Sequence, residues 1–300
     1  MLTGSSVLYP RPESPFQLRE IKFLIPYVVF TAFSYFFAKN GFLYASPLVF
    51  MALRYLIAGA ILLGMSKRII ISRQLLFLSA VTVTSTVFWA YGLLYVSPSE
   101  SAVLSYSMPL FSLPIAFLLV SEKPSRMEIA GIIVGFAGVF IYGIPLLAGF
   151  TLVGMILTIV NAFFWGTFTV FYRKLRDHDP IAVNATQFLI GAAIMFALSP
   201  LDFKIHITVP FLEDLIWMAT LGGALQFLLW NYMIRMSRVN RITVLAFSVP
   251  IFTVVLEAVM TGKVPEIFST AGVAVMFLGI FLSRLRGGIS SVVPEGAAER

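Results

Sequence analysis

Ten runs of about twenty mostly apolar residues follow one another along this chain, each long enough to cross a bilayer as a helix. They cover roughly 22–43, 47–66, 74–96, 100–120, 127–146, 150–172, 181–199, 211–235, 242–261 and 267–284. Turn residues part them, among them Ser46-Pro47, Ser97-Pro98-Ser99, Asp179-Pro180 and Val264-Pro265. Water cannot be the solvent of such a chain. Hydrophobic residues make up 59% of it and charged residues 12%, against about 25% charged in soluble domains. The expected fold is an all-α integral membrane protein of ten transmembrane helices.

Loop charges test that count, because cytoplasmic loops collect Lys and Arg. With the N-terminus inside, seventeen basic residues fall on the cytoplasmic side, from Arg11 through Lys67, Arg68, Lys123, Arg173 and Arg238 to Arg300. The other side holds Lys39, Lys204 and Lys263, and Arg54 lies within a span. The alternation stays in phase over all ten spans, so both termini are expected to be cytoplasmic. The stretches 1–21 and 286–300 read as disordered tails.

The net charge of +7 could point to nucleic acid. Its basic residues, however, sit between apolar runs and form no stripe interleaved with aromatics. Membrane lipid is the expected macroscopic partner. With no cysteine there are no disulfides, thiolate metal sites or cysteine nucleophiles. His178 and His206 fall in connecting segments, and Asp177, His178 and Asp179 beside Pro180 read as a solvated turn. No Gly-rich phosphate loop, GxSxG, HExxH or embedded carboxylate pair is found. We therefore expect no catalytic residues, no metal and no cofactor, and a gradient rather than ATP as the energy source.

The chain also repeats itself. A shift of 133 places FMALRYLIAGAI (50–61) over VNATQFLIGAAI (183–194), and a shift of 141 places Trp89 over Trp230, Ser107 over Ser248 and Pro109 over Pro250. The same shift carries Gly131 onto Gly272 and Gly138 onto Gly279. One five-helix unit thus occurs twice, over 22–146 and 150–285. Five is odd, so the second copy is expected to cross in the opposite sense. Inverted repeats of this kind enclose a central site near the midplane.

The stretch LLYVSPSESAVLSYSMPLFSLPIAFLLVSEKPSRMEIAGIIVGFAGVFI resembles the signature of the drug/metabolite transporter superfamily, in its ten-helix EamA-type branch. The features that carry the likeness are Pro109, Glu122, Gly131, Gly138 and Val139, with Arg54 and the NAFFWG of 161–166. The likeness covers about residues 22–285. The second copy departs from it in having Gly262-Lys263 where many relatives repeat the acidic residue, and Gln187 where the first copy has Arg54. The resemblance implies a cavity framed mainly by spans 1, 3, 4, 6, 8 and 9, with 2 off its wall. It also implies a carrier in a prokaryotic plasma membrane, similar to bacterial exporters of amino acids and other metabolites. A non-transporting sensor or assembly subunit on the same scaffold is the alternative, and a collapsed centre would favour it.

Polar and aromatic residues at mid-span depth are the cavity candidates: Trp89, Tyr106, Ser107, Asn161, Trp165, Gln226, Trp230 and Ser248. Asn161 and Trp165 stand four apart and share a helix face, as do Gln226 and Trp230. Each could instead serve interhelical hydrogen bonding. Ionisable residues inside spans are gate or coupling candidates. Lys39 and Glu257, both near outer span ends, could form a gate ion pair or hold the two charges of a zwitterion. Arg54, about 10 Å deep at 1.5 Å per residue, could serve structure or coupling. Pro109 and Pro250 are hinge or kink candidates, as is Pro114. Gly131 and Gly135 form a GxxxG pair, read as a close helix contact, with a dimer face as the alternative; the expected oligomeric state is monomer or homodimer. The pocket so drawn suits a small neutral or zwitterionic solute.

Overall fold

The computed structural model of the protein describes residues 18–121, 123–146, 151–263 and 265–284, and its regular elements are helices. The expected tails lie almost wholly outside the described residues, as does Glu122. The first five spans are α1 (Leu18–Gly41), α2 (Pro47–Ser66), α3 (Arg73–Tyr95), a pair of half-helices α4 (Pro98–Ser105) and α5 (Met108–Val120), and α6 (Arg126–Gly143). The next two are α7 (Thr151–Tyr172) and α8 (Pro180–Leu198). The eighth is α9 (Val209–Ala219) running through a π-helical turn, Thr220–Leu225, into α10 (Gln226–Met236). The ninth is again two halves, α11 (Val239–Leu245) and α12 (Ser248–Thr261), and α13 (Ile267–Arg284) follows. Among the described residues nine helical stretches are long and apolar enough to span a membrane, and a tenth apolar stretch, Ile267–Leu282, is shorter.

The sequence sets these boundaries locally. Ser97 caps α4 and Ser125 caps α6, each in a capping box with the glutamate three residues on, which satisfies amides that would otherwise be orphaned at the helix start. Pro47 and Pro180 each open a helix, where the missing N–H costs nothing. Ser121 and Gly262 close α5 and α12 in the left-handed region, at φ 54° and 66°.

Both mid-span breaks have the same cause. Pro109 stands four residues after Ser105, the last residue of α4, and Pro250 four after Ala246, which follows α11. Proline removes a backbone bond and its ring clashes with the carbonyl four residues back, so each helix stops there. The freed turn is closed by a hydroxyl: Ser107 Oγ donates to Leu104 O at 2.8 Å and Ser248 Oγ to Leu245 O at 2.8 Å.

Helix packing recurs at the same two shifts as the sequence. Leu18 and Pro47 begin α1 and α2; Thr151 and Pro180, each 133 further on, begin α7 and α8. α2 lies on α8, with Tyr55 edge-on to Phe188 at 4.7 Å. α3 lies on α7, as α9 and α10 lie on α1. α6 and α13 meet backbone to backbone. Gly131 and Gly135 lie against Gly279, and Gly138 against Gly272, so the two helices run antiparallel. A Cβ at Gly138 would come within 2.6 Å of the Gly272 carbonyl and the Met276 amide. The GxxxG pair is thus engaged within the chain. Ile133, Phe136 and Phe140 on the opposite face of α6, with Phe277 and Phe281 of α13, are exposed, as lipid-facing side chains should be.

Candidate functional site

At mid-depth, α1, α2, α3, α4, α7 and α10 enclose a cavity of about 70 Å³, room for about five waters or a small organic solute. α1 contributes Tyr27, Thr31, Ser34 and Tyr35; α2 contributes Arg54; α3 contributes Ser85, Thr86 and Trp89. Ser105 and Tyr106 come from the α4 break, Asn161 and Trp165 from α7, and Gln226 and Phe227 from α10. Five of the eight cavity candidates therefore line one space: Trp89, Tyr106, Asn161, Trp165 and Gln226.

Much of the polar lining is tied to itself. Asn161 Nδ2 donates to Ser105 Oγ at 3.0 Å, while Asn161 Oδ1 accepts from Ser85 Oγ at 2.8 Å. One amide thus joins α7 to α3 and α4 and faces the cavity as well. The hydroxyls of Tyr27 and Tyr106 meet at 3.1 Å, and Tyr35 stands edge-on to Trp89 at 5.4 Å. Gln226 differs: it is 8% exposed and its Oε1 is buried with no hydrogen-bond partner.

Three candidates lie elsewhere. Trp230 is fully buried behind the wall, donating its indole N–H to Thr169 Oγ1 at 3.2 Å and stacking on Tyr27 at 5.0 Å. Ser107 and Ser248 turn their hydroxyls onto the carbonyls of Leu104 and Leu245, three residues back at the mid-span breaks. Helix interruption, which the sequence reading treated as a question of hinges, decides where those two hydroxyls go.

Lys39 and Glu257 form no ion pair with each other. Lys39 Nζ donates to the carbonyls of Leu93, Leu94 and Val96 at 2.6, 3.1 and 2.9 Å, at the C-terminal end of α3. Glu257 Oε2 accepts from the Ser99 amide at 2.7 Å and Ser97 Oγ at 3.3 Å, at the start of α4. Each charge sits at the helix end whose dipole suits it, a few residues apart on one corner. Arg173 repeats the lysine's contact in the other half, its Nη1 donating to Ile234 O and Ser237 O at 3.3 and 2.7 Å at the end of α10.

Arg54 is the larger correction. The resemblance implied that span 2 stands off the wall, yet Arg54 lines the cavity while only 5% exposed. The π turn brings it there. By widening the eighth span it presents the carbonyls of Met218 and Gly222, which accept from Arg54 Nε at 3.0 Å and Nη2 at 2.5 Å. The tyrosines and hydroxyls of α1 lie outside the residues expected from sequence, although Tyr27, Thr31 and Tyr35 follow one another at the same four-residue spacing as Asn161 and Trp165. Among the described residues no group of three or more His, Asp or Glu side chains comes together to hold a metal.

A bundle of apolar spans around a small polar and aromatic chamber defines the class, an integral membrane transporter. The chain belongs to the EamA-like transporter family, which matches it twice, over residues 18–144 and 152–285. It is 48% identical over 241 residues to an uncharacterized transporter in the sor 3' region of Acidianus ambivalens, covering 80% of this chain and 95% of that one. It is 24% identical over 187 residues to a probable amino-acid metabolite efflux pump of Salmonella typhimurium, covering 58% of this chain and 62% of that one. A solved crystal structure superposes with a TM-score of 0.76 at 16% identity, over 90% of this chain and 99% of the other, and shares the fold.

Proposed function

We propose that this protein is a secondary or facilitative carrier that exports small neutral or zwitterionic organic solutes, such as amino acids, across a prokaryotic plasma membrane. The observation that carries the reading is the mid-depth chamber, walled by helices from both family-matched halves. A sensor with a collapsed centre would have no use for such a space. Its volume suits a solute the size of an amino acid side by side with little else. Its lining holds one cation, Arg54, where a phosphate ester or nucleotide calls for several.

The alternating-access reading rests on orientation. The antiparallel run of α6 and α13, the last helices of the two five-helix units, through matching glycines supports reading the units as inverted copies. Inversion lets the halves exchange conformations, opening the same site first to one face and then to the other. Both termini then share the cytoplasmic side with most of the Lys and Arg. The name of the Salmonella typhimurium relative supports amino acids as the first solutes to try and outward as the direction. Counterflow in proteoliposomes loaded with unlabelled amino acid tests this: transient uptake of the radiolabelled solute is expected. No exchange for any member of a broad amino-acid and metabolite panel would sink the proposal.

A further inference from the structure

The chamber contains a charge, the guanidinium of Arg54. Among the described residues no carboxylate lies within ion-pair distance of Arg54, whose partners are two backbone carbonyls and the Met51 sulfur, 3.6 Å from Nη1. A thioether is a weak acceptor, and an intramembrane guanidinium without a counter-charge is expensive to keep. The two carbonyls hold the group in one orientation without balancing it. The rings of Tyr55 and Phe227 flank it, with its central carbon 5.7 and 5.9 Å from their centroids, which eases the cost only partly.

Holding this cation takes a specialised backbone. The carbonyls of Met218 and Gly222 belong to the π turn and the residues just before it, and single π turns inside α-helices cluster at functional sites. Gly222 packs so close to Ser34 of α1, and Gly223 so close to the Met218 carbonyl, that a Cβ at either would intrude. The same wall presents Gln226, with its unpartnered buried Oε1. The chamber therefore offers a fixed cation for an anionic group and, in its wall, an unpaired acceptor for a donor.

We infer that Arg54 is the residue by which the chamber selects its solute, taking one carboxylate on the free part of its guanidinium, while Gln226 Oε1 accepts from that solute's amino or hydroxyl group. A planar fork meets a carboxylate through two parallel hydrogen bonds. A single cation selects a monocarboxylate over a dianion. This deepens the carrier reading and rests on it: the solute carries a free carboxylate, and blocking that carboxylate abolishes recognition.

The test is counterflow in proteoliposomes of the full chain, with each protein amino acid paired against its own carboxamide, for the wild type, Arg54→Gln and Arg54→Lys. Loss of one charge-assisted hydrogen bond corresponds to about tenfold or more, so the wild type should prefer acid over amide by at least about that factor. Arg54→Gln should bring the pair within about twofold, and Arg54→Lys, which keeps charge but not the fork, should fall between. Equal movement of acid and amide by the wild type, or a preference that survives Arg54→Gln, overturns the assignment while leaving the carrier reading in place. Movement of neither class overturns both. If Arg54→Gln cannot be reconstituted, the wild type decides by thermal shift in detergent: amino acid should raise the melting temperature and its amide should not, and equal shifts overturn the assignment.

Discussion

Positions 54 and 187 correspond under the 133-residue shift, and the two halves of the molecule treat them in opposite ways. In the first half the residue is arginine, facing a helix widened by a π turn and bonded to backbone that the widening releases. In the second half it is Gln187, neutral and fully buried, facing the regular helix α3. Gln187 Oε1 accepts from Thr82 Oγ1 at 3.3 Å, and its Nε2 donates to Asn184 Oδ1 at 2.5 Å. Asn184 Oδ1 also accepts from Asn231 Nδ2 at 2.8 Å. One copy thus keeps a charge in need of a counter-ion, and the other keeps a neutral network of amides.

Substitutions in each half test that contrast. The largest effect is expected from Gln187→Arg, which makes the second copy imitate the first without a π turn to receive the fork. A charge placed there should cost about 3 kcal/mol, read as a lower melting temperature in detergent, and an unchanged value would show that regular helix suffices. Asn184→Ala comes next. It strips the shared acceptor from two buried amide donors and should cost about 2 kcal/mol, with Asn231→Leu in the same background recovering part of the loss.

The smallest effect concerns the helix-end cations. Lys39→Met and Arg173→Met each remove a cation from a C-terminal helix end, worth about 1 kcal/mol. Because the two clamps close opposite ends of the bundle, the variants should shift solute accessibility in opposite directions. Cysteine-accessibility labelling across the chamber in intact vesicles would read this, and a shift of the same sign in both would dissolve the parallel.

The architecture was legible because its cause is local. Apolar runs of span length, capping serines such as Ser97 and Ser125, prolines at helix starts and the Lys–Arg alternation all act within a few residues. Pro109 and Pro250 marked the interruptions for the same reason. The chamber was legible where a helix face carried its signal, as with Asn161 and Trp165 at four-residue spacing. It was not legible where distant backbone decides. Arg54 joins the wall because carbonyls 164 and 168 residues away are released by a π turn, whose trace in the sequence is no more than Gly222-Gly223. Lys39 and Glu257 misled because two opposite charges near span ends suggest each other, whereas helix termini offered each a closer partner. Trp230 shares the spacing of Trp165 but packs behind Tyr27, its indole N–H donating to Thr169.

The glycine contact between α6 and α13 has a practical consequence. Helices joined through interlocked side chains can settle into alternative registers, but these two approach main chain to main chain at Gly131, Gly135, Gly138, Gly272 and Gly279, with Tyr142 and Met276 wedged beside the contact. On the carrier reading proposed above, they form a fixed datum while other helices move. Distances between labels on their outer faces should stay constant through a working cycle, so movement elsewhere in the bundle can be measured against an internal ruler that the protein itself supplies.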